Sequence, residues 1–229
     1  MSRILVFSAA LSLFGGPLTA NAVIIGGIEF PQGAASFADA VVSYEVGTGG
    51  VTAPHGVSSN SLGVPDYAGD NNCTNDPGCS FVSLGSGGTL VLRFIDNVLT
   101  GSGDDGDDLW IFEVGPDVED TFIAVSSDGI NWNEVGKVFG SRSGVDIDAF
   151  GFGTDAEFAY VRLIDDPNEG ARSGITVGAD IDAVGAISTR IIPTPEPGAL
   201  VLLGLGLAGI GLARRRAGRS RRPLGRPGA

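Results

Sequence analysis

The sequence predicts an all-β domain, an antiparallel two-sheet sandwich of jelly-roll type, lying between two processing segments. Three observations carry this. Short runs rich in Val, Ile and Phe recur every dozen or so residues, with Gly, Asp, Asn and Pro between them. Several of these runs alternate apolar and polar residues with the two-residue period of a half-buried strand. No long stretch between Val23 and Pro193 shows the 3.6-residue period of an amphipathic helix. Eight or more short strands in one domain of this kind fit two antiparallel sheets packed face to face.

The chain starts with "MSRILVFSAALSLFGGPLTANA": one basic residue, Arg3, an apolar run from Ile4 to Phe14, and Ala20-Asn21-Ala22 as a small-residue cleavage pattern. This predicts a secretory signal peptide over 1–22. Residues 23–193 then form the body, 171 residues, enough for one domain with a sizeable core. Its expected strands are Ala38–Val46, Phe81–Leu84, Thr89–Ile95, Leu109–Val114, Thr121–Ser126, Asn131–Val138, Ala156–Ile164 and Ile181–Ser188. In "TLVLRF", Leu90, Leu92 and Phe94 share one face. In "FAYVRLI", Phe158, Tyr160 and Arg162 stand opposite Ala159, Val161 and Leu163. Asp128-Gly129, between two strand-like runs, is a strong hairpin signal. Thr48–Asn75 is rich in Gly, Ser, Asn and Asp and reads as a long loop, with His55 on its surface. An exported chain meets an oxidising compartment, so Cys73 and Cys79 in "CTNDPGC" are expected to close a small disulfide loop.

Charge narrows the function classes. The body holds six basic side chains against 26 acidic ones, a formal −20, which the whole-chain value of −13 conceals. Such a surface repels phosphate backbones and argues against nucleic-acid binding. It suits divalent cations, or simply solubility. "GSGDDGDDLW" packs Asp104, Asp105, Asp107 and Asp108 around Gly106. Carboxylates ~6 Å apart repel by roughly 0.7 kcal/mol per pair even in water. Calcium, which takes six to eight oxygen ligands, removes that cost. The spacing is not that of an EF-hand, and calcium-binding repeats need stacked copies. The residues leave two readings open: a calcium site, or a solvated acidic loop before a strand. Asp180 and Asp182 are further candidate ligands. Trp110 and Trp132 lie inside strand-like runs and read as core; exposed, they would stack on sugars. No nucleophile-elbow, zincin or P-loop pattern occurs in the body. With 26 acids, no pair singles itself out for glycoside hydrolysis. No catalytic residue is assigned, and a non-enzymatic protein is expected.

The tail is more specific. Residues 199–213 are an apolar run whose helical length, roughly 22 Å, falls short of a hydrocarbon core of about 30 Å. It is expected to hold the inner membrane weakly as a transmembrane helix. Arg214, Arg215 and Arg216 follow at once and would keep that end cytoplasmic. Gly204–Gly209 fits G-x-G-x-x-G, but with neither the strand before it nor the acid after it that a dinucleotide site needs. Pro195-Glu196-Pro197 precedes the run, and its prolines hold Glu196 extended. A Pro-Glu-Pro motif, an apolar helix and an arginine cluster, in that order over 194–229, resembles the PEP-CTERM sorting signal of Gram-negative bacteria. The resemblance implies processing by exosortase, a membrane-embedded cysteine peptidase, near Pro195-Glu196-Pro197. The product would go to the cell surface or the exopolysaccharide matrix.

The order "FADAVVSYEVG", "SLGVPD", "VSLGSGGTLVLRF", "GDDLWIFEVG", "VSSDGINWNEVG", "YVRLID" and "DIDAVGAI", from Phe37 to Ile187, is also similar to bacterial secreted surface proteins with a galactose-binding-like (discoidin-type) sandwich. This second resemblance implies a fold in which end loops bind sugars and a buried calcium stabilises the domain. It carries no individual ligand-contacting position. The expectation is a secreted structural or adhesive protein associated with exopolysaccharide. Its alternatives are a carbohydrate-binding module and, behind that, a secreted hydrolase.

Overall fold

The computed structural model describes residues 21–67, 80–114, 119–192, 204–207 and 210. The expected signal peptide over 1–22, except for its last two residues, the Cys73–Cys79 disulfide, the Pro195-Glu196-Pro197 motif and Arg214, Arg215 and Arg216 all lie outside them. The chain divides into two compact units, 1–191 and 192–229.

In the first unit the strands, in chain order, are β1 (Val23–Ile25), β2 (Ile28–Phe30), β3 (Ala40–Glu45), β4 (Val82–Ser83), β5 (Thr89–Arg93), β6 (Asn97–Leu99), β7 (Leu109–Glu113), β8 (Thr121–Ser126), β9 (Asn133–Val138), β10 (Arg142–Val145), β11 (Tyr160–Asp165), β12 (Asp180–Ala186) and β13 (Thr189–Ile191). A five-stranded sheet runs β3-β5-β11-β8-β9 and a four-stranded sheet β10-β7-β12-β4. Both are antiparallel throughout. Two smaller pairs, β1-β2 and β6-β13, stand beside them.

The main core lies between the two large sheets. Leu90, Leu92, Ile123, Val125, Val161 and Leu163 come from the larger sheet and Leu109, Ile111, Ile181, Val184 and Ala186 from the smaller, all buried in one apolar cluster. This is a β-sandwich. Leu90, Leu92 and Phe94 share a buried face, as their spacing predicts. Phe158 departs from the expected alternation. Its strand starts only at Tyr160, so Phe158 is free to bridge Leu99 and join the core beside Val161 and Leu163.

The smaller sheet is covered on its other face too. On β7, Trp110 and Phe112 point away from Leu109 and Ile111 and pack with Phe30, Phe37 and the β1-β2 hairpin. Trp110 is therefore half-buried on an outer apolar layer. The β12 strand changes phase part-way. Ile181 faces the main core, Ala183 the outer cluster, and Val184 and Ala186 the main core again. A strict two-residue period forbids that, and a register shift at Asp182 permits it. A similar irregularity in β9 lets Val135 and Val138, three apart, both reach the core, with Gly136 at φ +111° taking the turn that a side chain would strain.

Asp128-Gly129 forms the predicted hairpin between β8 and β9. Asp128 Oδ1 accepts from the amides of Ile130 and Asn131, each at 2.8 Å, and these bonds hold its proton affinity well below the usual carboxylate range. Trp132, just after the turn, is half-buried, with the Arg162 guanidinium 4.6 Å from its ring centroid. It belongs to the outer face, not to the core as expected.

The segment from Thr48 is more ordered than its composition suggests. It bridges Ser86 and Thr176 and contains a short 3-10 turn at Ser58–Ser61. The expectation for His55 is corrected: it is 1% exposed and stacks on Phe81, ring centroids 5.5 Å apart. Burial lowers its proton affinity. A Gly/Ser-rich neighbourhood signals a loop, but this loop packs down on the sheet edge, with the Ser83 amide bonded to the His55 carbonyl at 2.9 Å.

In the second unit, 204–207 and 210 are helical, and Leu205, Leu207 and Ile210 are exposed. Most of the expected span 199–213 falls outside the described residues. Among those that are described, no helix is long and apolar enough to cross a membrane.

Candidate functional site

Three groups of acids organise the body's chemistry. The first grows from the start of β7. Asp108 immediately precedes Leu109, and its backbone bonds Val145 and Ile187. This ties it between β10 and the end of β12, and the residue is wholly buried. Its Oδ2 accepts from the Ile147 amide at 3.0 Å. Ile147 is itself buried in the main core, so Asp146 and Asp148 on either side of it are held at the core's margin. Asp148 Oδ2 accepts from the Gly103 amide at 3.0 Å and the Ser102 hydroxyl at 3.2 Å. Asp146 Oδ1 accepts from the Ala149 amide at 3.3 Å. One carboxylate oxygen from each of Asp108, Asp146 and Asp148 lies within 4.8 Å of the other two. Burial raises the proton affinity of Asp108, and Asp148 adds to this. Nearby Ser188, the Ile147 amide and Ser102 pull the other way.

Of the four aspartates singled out from "GDDGDD", only Asp108 enters this triad. The other three are exposed. Asp104 turns back to accept from the Gly106 amide at 2.9 Å, closing a local turn. Asp105 faces solvent. Asp107 packs against Gly144, and partial burial and Asp146 raise its proton affinity. Alternation explains the split, because adjacent residues at a strand entrance point to opposite sides. Asp146 and Asp148 were missed. The available signal was the Asp-x-Asp spacing around an apolar residue in "VDIDAF", which sets two carboxylates on one side of an extended chain.

The second group is Asp120, Asp166 and Glu169, whose carboxylate oxygens also lie within 4.8 Å of one another. Here Lys137 supplies the counter-charge. Its Nζ contacts Asp120, lies 2.7 Å from Asp166 and 3.8 Å from Glu169. Hydrogen bonds to Asp120 and Asp166 raise the affinity of Lys137 for its proton, and Lys137 in turn lowers that of Asp166.

The third group lies on β7 and β12, bordering a cleft of about 320 Å³ lined by Tyr67, Phe112, Glu113, Arg142 and Asp182, among others. Asp182 is the residue at the β12 register shift, and bulges re-aim side chains in this way. Its two oxygens face the amides of Asp66 and Tyr67, each at 3.4 Å, and burial pushes its pKa up to about 7. Glu113 accepts from the Glu119 amide at 3.0 Å, and burial, opposed by that bond, pushes its pKa up to about 9. Asp180, hydrogen-bonded by Ser83, is pushed up to about 8, again by burial. Asp180 and Asp182 therefore belong with Glu113, and the structure does not bring them into the Asp108 cluster.

Residues 193–216 match the family model for the PEP-CTERM protein-sorting motif. No curated protein matches the chain. Among solved structures, the C-terminal domain of a chitobiase from Bacteroides fragilis aligns with 14% identity and a TM-score of 0.39, over 70% of this chain and 97% of that one. The sorting motif marks this chain as an exported protein that passes through a membrane-anchored stage and is processed by exosortase.

Proposed function

We propose that the mature body is a non-enzymatic surface or matrix protein, a jelly-roll sandwich of galactose-binding-like type with a structural or adhesive role in exopolysaccharide. The observation that carries this is the sorting motif at 193–216, placed directly after an acidic β-sandwich. The motif supplies the address. A body with a formal −20 stays soluble and keeps clear of nucleic acid once the tail is gone. The Gram-negative surface is the compartment this address suits. The test is fractionation of a host that makes exopolysaccharide and exosortase. The protein should travel with the polysaccharide and be released when the polymer is degraded. Recovery in the culture medium regardless of polymer would contradict the matrix role.

The cleft favours a second reading, a carbohydrate-binding or hydrolytic site. Glu113 and Asp182 line one space beside Arg142 and Tyr67, and both hold protons more tightly than ordinary carboxyls. Raised proton affinity in a cleft is a property of general acids. If this reading holds, Glu113→Gln abolishes glycan binding or turnover in a panel assay while the fold persists.

A further inference from the structure

We propose that Asp108, Asp146 and Asp148 form a calcium site that ties the entrance of β7 to the exit of β10. This goes beyond the sorting role and does not depend on it. The three oxygens lie within 4.8 Å of one another, close enough for a single cation to touch all three. Calcium takes six to eight oxygens in flexible geometry, which suits carboxylates drawn from separate loops, whereas magnesium demands near-ideal octahedral geometry at about 2.0–2.1 Å. The donor set is oxygen alone, which suits a hard cation and disfavours zinc or copper.

Proximity of acids does not make a site, and the second trio shows why: its charge is met by Lys137. No basic side chain among the described residues forms an ion pair with Asp108, Asp146 or Asp148. The decisive feature is Asp108 itself. Its side chain is fully buried, its Oδ2 takes the Ile147 amide, and its Oδ1 has no partner of hydrogen-bond geometry, although the Ser188 and Ser102 hydroxyls lie near enough to lower the carboxyl's proton affinity. A buried carboxylate oxygen left without a partner is costly, and a cation is the ligand that satisfies it. Asp146 and Asp148 are half-buried, so their side of the site opens to solvent and water can complete the shell. Gly101 keeps the space clear, since a Cβ there would come 2.7 Å from Asp148 Oδ2.

The experiment uses the full chain in detergent micelles, melted in 1 mM calcium, in 1 mM magnesium and in chelator, with bound calcium counted by equilibrium dialysis. At calcium 100-fold above Kd, the expected rise in Tm over chelator is about 5–10 °C, with a smaller rise in magnesium. One calcium should bind per chain. Asp148→Asn, a half-exposed position that tolerates the change, should lose both the bound ion and the rise. Asp105→Asn, outside the triad, should keep both. Equal melting in calcium and chelator overturns the proposal, as does a calcium ion that survives Asp148→Asn or is lost in Asp105→Asn.

Discussion

Asp120, Asp166 and Glu169 close around Lys137, whereas Asp108, Asp146 and Asp148 close around no basic side chain among the described residues. Both trios bring three carboxylate oxygens within 4.8 Å of one another, with nearly the same chemistry. What differs is the source of counter-charge. A body with six basic residues among 26 acids cannot provide a lysine for every cluster. Where the fold supplies one, the cluster is a self-contained ion-pair network. Where it does not, and one oxygen is sealed from water, the proposed calcium would meet the charge from outside. On the calcium proposal, the contrast separates acids that pair within the sandwich from acids that answer to an external ion.

The hardest blow to this contrast should come from Ile147→Ala. Ile147 is fully buried and sits between two of the triad's carboxylates. Truncation should cost about 2–5 kcal/mol in a denaturant melt. It should also weaken the calcium response, because the anchor of Asp146 and Asp148 is gone; an unchanged response would detach the triad from the core. A smaller effect is expected from Lys137→Met. The second trio then lacks its cation, and the variant should melt several degrees lower in chelator. Part of that loss should return with calcium, as the second trio comes to resemble the first. If calcium leaves the variant's Tm untouched, closeness of three carboxylates does not by itself make a site.

The buried acids of β7 and β12 make a third member of the comparison, since they meet their charge by keeping protons. Glu113, Asp180 and Asp182 have pKa values raised to about 9, 8 and 7. The folded state therefore holds protons that the unfolded chain releases near pH 4. The stability they provide is fully present below that point and is lost as pH rises through 7 to 9. A tenfold gain in proton affinity on folding corresponds to about 1.4 kcal/mol. Glu113→Gln, permanently neutral, should flatten the fall in denaturant midpoint between pH 5 and 9. A wild-type midpoint that is flat over this range would show these carboxyls to be ordinary.

The strands were legible where alternation was long enough to see. Thr89–Arg93 and Tyr160–Asp165 have five or six residues and one clear apolar face. The β1-β2 hairpin escaped notice because its strands have three residues each around Gly26-Gly27, directly after the expected cleavage point. Arg142–Val145 was hidden for another reason, as "RSGV" has neither alternation nor β-branched density. The phase change at Asp182 could not be read, because a bulge is invisible to a period-two argument. Of the triad, Asp108 stood out by local charge density. Asp146 and Asp148 lie some forty residues away, and only the β7-β10 pairing brings them close. The sorting motif was legible from order alone, as proline knuckle, apolar run and arginines, and the family match over 193–216 agrees with it.

The central claim is that this sandwich is delivered by export and removal of its sorting tail, and intact-mass measurement of the protein recovered from cells with active exosortase tests it most directly. The account expects a chain that begins near Val23 and ends near Pro195-Glu196-Pro197, with the uncut tail accumulating in the membrane fraction when exosortase is deleted. A single species retaining Met1 and Ala229, found in the cytosol whether or not exosortase is present, would contradict it.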